Sequence, residues 1–141
     1  MELSPTSMKT LRIPIQLDSS LFKRFFQFMQ PFHHLTEREM QVAGEYVYMR
    51  YRILKTKEID GDEKKADAAM QKEEIRSLIR KAAGVTPAHY QVILGKLRKA
   101  KVLEGNTLNS KFMPKIVESE GVFKLLIVFD FRKEKNYDNR A

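Results

Sequence analysis

No cysteine and no tryptophan occur among the 141 residues, and histidine appears only three times. The missing thiols exclude a disulfide framework and any thiolate metal site. They also fit a reducing compartment. Long apolar runs are missing as well. The longest uninterrupted one, Leu125 to Phe129, is far too short to span a bilayer. The opening "MELSPTSMKTLRIPIQL" has no apolar core between a basic start and a small-residue cleavage site, so no signal peptide is expected. The expectation is a cytoplasmic protein with no membrane partner.

Catalytic signatures are absent too. There is no G-x-x-x-x-G-K-[ST] phosphate loop, no G-x-S-x-G elbow and no paired-carboxylate motif. His33 and His34 adjoin but point to different sides of the backbone, which makes them structural or solvent-facing. Asp60, Asp62 and Glu63 around Gly61 lack the alternation and terminal glutamate of a calcium loop. No enzyme, no catalytic residue, no cofactor and no metal are expected.

What the chain does have is an apolar share of 43% and an excess of positive charge, 26 basic against 18 acidic residues, a net of +8. Its length and apolar content fit one domain with modest extensions. The charge favours acidic partners, nucleic acid before an acidic protein surface.

Leu11, Ile13, Ile15 and Leu17 alternate with polar residues, the period of a half-buried strand. Pro14 removes a backbone donor and places that strand at a sheet edge. Asp18 and Ser19 offer cap oxygens for a helix through "LFKRFFQFM", with Pro31 at or beyond its end. Phe22, Phe25, Phe26 and Phe28 nearly circle it, so it should be buried on more than one side or lie against a partner. Thr36 and Glu39 form a capping box for a helix reaching about Leu54, with Met40, Ala43, Val47 and Leu54 on its apolar stripe and Tyr46 and Tyr51 beside them. Lys55 to Gln71 sets four lysines against five acids and reads as a solvated, partly helical connector.

The most informative stretch is "IRSLIRKAAGVTPAHYQVILGKLRKAKVL", residues 75–103. Ile75, Leu78, Ile79 and Ala82 share one helical face. Gly84 follows where a left-handed residue closes a helix, Thr86 can cap the next one, and Pro87 suits its first turn. Tyr90, Ile93, Leu94 and Leu97 then recur at helical spacing, and Val102 and Leu103 leave as the start of a strand. Glu104 to Asn106 signals a turn, and "TLNSKFMPKIVESEG" reads as a long loop. Val122 to Phe131 is mostly apolar and β-prone, a strand covered from two sides and paired with Leu11 to Leu17.

On Ile79, Ala83, Gly84, Val85, Thr86, Tyr90, Leu94, Leu97, Val102 and Leu103 the chain resembles the winged helix-turn-helix superfamily. The resemblance covers Thr36 to about Phe131, with the connector as an insertion. One departure is Lys101, where many members carry glycine before the exit strand. The resemblance implies an α+β winged helix-turn-helix domain over residues 35–131 with a charged insertion at 55–71 and a small antiparallel sheet. An N-terminal strand and a Phe-rich helix, residues 1–34, pack on it, and residues 132–141 form a polar tail.

Between Lys72 and Lys101 eight residues are basic and two acidic, a net of +6, so most of the excess charge sits on the helix pair. That suits contact with the phosphates of double-stranded DNA. By the resemblance, Pro87, Ala88, His89, Gln91, Val92 and Lys96 face the major groove. Only His89, Gln91 and Lys96 of these can hydrogen-bond to base edges, and no arginine is there to fork onto guanine. The candidate DNA contacts are Arg80, Lys81, Thr86, His89, Gln91, Lys96, Lys99, Lys111 and Lys115. Gly95 could admit another backbone, or pack tightly on a neighbouring helix.

The resemblance implies a small transcriptional regulator. A rival expectation keeps the fold and changes the task. In size, charge and lack of cysteine the chain also resembles winged-helix proteins of tailed bacteriophages, some of which are virion parts. The chain would then be an assembly adaptor in the virion, meeting a protein partner or its own copies through Phe22, Phe25, Phe26 and the 122–131 strand.

Overall fold

In the computed structural model, which describes residues 14–124, Asp18 starts the first helix. Its carboxylate accepts from the Ser20 N–H at 2.9 Å, so one of the otherwise unpaired donors of helix α1 (Ser19–Phe28) is satisfied. Leu21, Phe22, Phe25 and Phe26 are buried, whereas Phe28 is exposed. After Met29 the chain makes a short helix α2 (Gln30–His33) with Pro31 in its first turn, where a missing N–H costs nothing. Thr36 and Glu39 form the expected reciprocal capping box of helix α3 (Glu37–Leu54).

Helix α3 is the element on which the others pack. Met40, Ala43, Tyr46 and Val47 are buried along it, and Phe22 of α1 meets Tyr48 and Tyr51 at ring-centre separations of 5.6 Å. The two helices approach closely at Gly44, where an added Cβ would lie 3.0 Å from the Lys23 backbone nitrogen. Gly44→Ala should therefore lower the melting temperature, although alanine is the better helix former by about 1 kcal/mol. An unchanged or raised midpoint in a thermal scan would show that α1 can give way.

Phe22, Phe25 and Phe26 correct the expectation of a partner surface on α1. They are 0%, 2% and 0% exposed, because they fill the chain's own core. Phe26 stacks on Phe112 with centroids 6.1 Å apart and rings 5° from parallel, and Phe112 belongs to the far end of the described chain. A period-3.6 pattern shows that a face is apolar, and it is silent on which surface covers that face.

His33 sits beside this stack and is 5% exposed. Its Nδ1 accepts from the Leu35 N–H at 2.9 Å, so Nε2 carries the proton and donates to the Phe26 carbonyl at 2.7 Å. Burial pushes its pKa below the ordinary 6.5, against the opposing pull of the Phe26 carbonyl and with a smaller push from His34. As pH falls the unfolded chain takes up this proton first. Stability is then full above about pH 6.5 and declines below it. Urea midpoints at about pH 7.5 and about pH 5.5 should differ, and the gap should shrink in His33→Gln.

The connector departs from a merely solvated segment. Within it Glu63–Ala69 forms helix α4, capped by Asp62, and Ala66, Asp67 and Met70 are buried. Arg50, 2% exposed on α3, forms a two-pronged ion pair with Asp67: Nε donates to Oδ1 at 2.9 Å and Nη2 to Oδ2 at 3.2 Å. Ala66 and Met70, one turn apart, bring α4 down onto the core beside it, and charge counting conceals that.

Helices α5 (Glu73–Ala83) and α6 (Pro87–Lys99) follow, and both pack on α3. A hairpin of β1 (Leu103–Glu104) and β2 (Thr107–Leu108) turns at Gly105 and Asn106, with Gly105 at φ 66°. Lys101 adopts φ 66° without being glycine, so the departure noted in the sequence leaves the turn intact at some backbone strain. The Asp67 Oδ1 also accepts from the Leu108 N–H at 3.4 Å, which ties the connector to this hairpin.

The stretch expected as a long loop holds β2, a 3-10 turn at Ser110–Phe112 and strand β3 (Lys115–Val117). Strand β4 (Val122–Lys124) pairs antiparallel with β3, Ile116 opposite Phe123. Among the described residues it has no partner in the N-terminal segment, since residues 14–17 form no strand and are exposed. Closing the short Glu118–Gly121 turn costs far less chain entropy than pairing segments about a hundred residues apart. Residues 11–13 and 125–131 of the two expected strands lie outside the described residues. The described residues are thus α+β, mostly helical, with two small antiparallel sheets. Among them no helix is long and apolar enough to cross a membrane.

Candidate nucleic-acid interface

The helix pair is fixed by local capping. The α5 C-terminus closes on Gly84 at φ 68°, and Arg38 of α3 donates to the Ala83 carbonyl at 3.0 Å. Thr86 Oγ1 accepts from the His89 N–H at 3.2 Å and starts α6, with Pro87 in the first turn. The connection is only Gly84, Val85 and Thr86, so the angle between the helices is held by caps rather than by a loop.

The buried row of α5 is Ile79 and Ala83, with Ile75 half-buried. The expected face differs at two positions: Leu78 is 50% exposed and Ala82 is exposed. Helix α5 lies at the surface against α3, so its covered stripe is narrow. On α6, Tyr90, Ile93, Leu94 and Leu97 are all buried as the spacing requires. Its other side carries Ala88, His89, Gln91, Val92, Gly95, Lys96 and Lys99, all exposed. An added Cβ on Gly95 would meet nothing within 4 Å, which removes the tight-packing account of this glycine.

The basic residues divide by type. Arg76 lies over the Tyr90 ring at 5.8 Å, and Arg80 pairs with Glu73. Arg98 donates from Nε to the Gly105 carbonyl at 3.0 Å and reaches Asn106 at 3.4 Å. Each of these three arginines is thus engaged within the chain, Arg80 within its own helix. Lys72, Lys81, Lys96, Lys99 and Lys101 are exposed. Guanidinium groups, planar and weakly hydrated, suit multiple fixed bonds, whereas ammonium groups stay in water.

Two buried phenols, Tyr46 of α3 and Tyr90 of α6, line one recess. The Tyr46 and Tyr90 hydroxyls make no hydrogen bond of ordinary geometry, in a small recess lined by Gln71, Arg76 and Arg98. Burial, followed by Asp67, pushes Tyr46 up to about 12. Burial likewise raises Tyr90. Both remain neutral at neutral pH.

Of the candidate DNA contacts, Lys81, His89, Gln91, Lys96 and Lys99 are exposed on the helix pair. Arg80 is held by Glu73, and the Thr86 hydroxyl is spent on its cap. Lys111 and Lys115 are exposed on a different segment, the 3-10 turn and β3. Arg38 and Arg98 have structural roles that no local pattern signals, because their partners are carbonyls set by the fold. Among the described residues no group of three or more His, Cys, Asp or Glu could hold a metal ion. Comparison with known protein families, curated proteins and solved structures finds no match.

Proposed function

We propose that this chain is a double-stranded-DNA-binding protein of winged helix-turn-helix type, acting as a small regulator. Helix α6 enters the major groove, and Lys81, Lys96 and Lys99 lie on flanking phosphates. The observation that carries this reading is the division of the cations on the helix pair. The arginines are engaged within the chain, while the lysines stand exposed, Lys96 and Lys99 on the outward side of α6 and Lys81 in the last turn of α5. Exposed lysines close to phosphates release counterions, and that release drives association.

The test is fluorescence anisotropy on duplex DNA across a salt series. Lys81→Gln, Lys96→Gln and Lys99→Gln together should weaken binding and flatten log affinity against log salt by about 0.9 for each phosphate no longer neutralised. Stability should hardly move, because all three side chains are exposed. Absence of binding at about 50 mM salt, or an unchanged slope, would overturn the reading.

A second reading, an assembly adaptor such as a phage virion part, retains one observation. Phe28 and Phe32 are 57% and 58% exposed near the junction of α1 and α2. Large exposed aromatics favour protein contact. A site selection that enriches no sequence from random duplex would favour this reading.

A further inference from the structure

We infer that the exposed face of α6 reads A·T base pairs, with Val92 and Ala88 meeting thymine methyls and Gln91 meeting adenine. This rests on the DNA-binding reading above and deepens it. Val92 is 58% exposed, an unusual place for a β-branched aliphatic side chain on a helix whose opposite side is fully packed. Ala88 lies one turn before it and Gly95 about one turn after, both exposed. With nothing within 4 Å of a Cβ at Gly95, this face has low relief and a base edge can come near the backbone. Lys96 and Lys99 stand exposed on the same helix, four and seven residues after Val92. An apolar protein partner would gain nothing from those two charges, whereas a polyanion with apolar groups in its groove matches both features.

In the major groove the apolar group is the C5 methyl of thymine, and glutamine pairs with the N6 and N7 of adenine. Guanine is taken by arginine or lysine; Arg76, Arg80 and Arg98 are engaged elsewhere in the fold, and Lys96 lies in the C-terminal half of α6. Groove-reading helices use their N-terminal residues on base edges. Ala88, Gln91 and Val92 fall in that half of α6, and Lys96 and Lys99 in the half that remains for phosphates. Uracil lacks the methyl and an RNA duplex closes its major groove to side chains, so the same face should prefer DNA.

The experiment uses the full chain and three duplexes of equal length at low salt: alternating d(A-T), the same with deoxyuridine for thymine, and alternating d(G-C). The alternating d(A-T) duplex should bind tightest. Removing the methyls should weaken binding by about fourfold for each one buried. Val92→Ser should reduce the thymine-to-uracil difference by about fourfold, the share of one methyl, and change d(G-C) binding less than that, which separates a methyl contact from a change in duplex shape. Gln91→Ala should reduce the preference for d(A-T) over d(G-C). Equal binding to all three duplexes, or a thymine-to-uracil difference that Val92→Ser leaves undiminished, would overturn the inference while leaving DNA binding in place. Failure to bind any duplex would remove both.

Discussion

Phe26→Glu is expected to leave the protein without a cooperative unfolding transition at room temperature. Phe26 is 0% exposed and touches Phe25, His33 and Phe112 with ring centres 5.6, 5.7 and 6.1 Å away. Losing a buried phenylalanine costs about 3–5 kcal/mol on its own. A carboxylate in its place meets two phenyl rings and the buried His33, which burial holds neutral at neutral pH, so it adds a desolvation cost or must be protonated. Domains of this size hold about 5–15 kcal/mol in all. Far-ultraviolet circular dichroism against urea is the measurement. The control is Phe28→Glu, which should stay within about 0.5 kcal/mol of wild type because that side chain already faces solvent. A Phe26→Glu protein that melts like wild type would mean that α1 is not part of the core.

Asp67→Ala should cost about 3–5 kcal/mol, because it strands the Arg50 guanidinium at 2% exposure. Glu63 lies 3.8 Å from Arg50 Nη2 and is too exposed to replace the missing partner in full. The Leu108 N–H is deprived of its acceptor in the same variant, so its hydrogen exchange should speed up. Arg50→Met with Asp67→Ala should recover much of the stability, since the buried charge is then gone. A single Asp67→Ala variant within about 1 kcal/mol of wild type would show that water reaches the pair.

The candidate site was legible in outline. Thr86, Pro87 and the Tyr90, Ile93, Leu94, Leu97 row located α6 and its buried side, and the outward residues follow by subtraction. Arg80 was the weak point. It counts as a free cation in the sequence, yet Glu73 lies seven residues earlier on the same helix, within its reach. The Leu78 and Ala82 positions failed for a related reason. Two adjacent helical stripes were both apolar, and only the packing angle of α5 on α3 chose between them.

The sequence by itself determined what neighbours along the chain decide. The capping box of α3, the glycine closing α5 and the start of α6 all depend on bonds between residues at most a few positions apart. Such bonds form wherever the right side chains follow one another. The tertiary structure alone decided what distant residues share. The Arg50–Asp67 pair spans 17 positions, and the Phe26–Phe112 stack joins opposite ends of the described chain. It also decided that β4 pairs with β3. Amphipathic periods record that a side chain must be covered, and any apolar surface satisfies that demand. Which surface does so is settled by the collective packing of all elements at once, a property carried by no single stretch of residues.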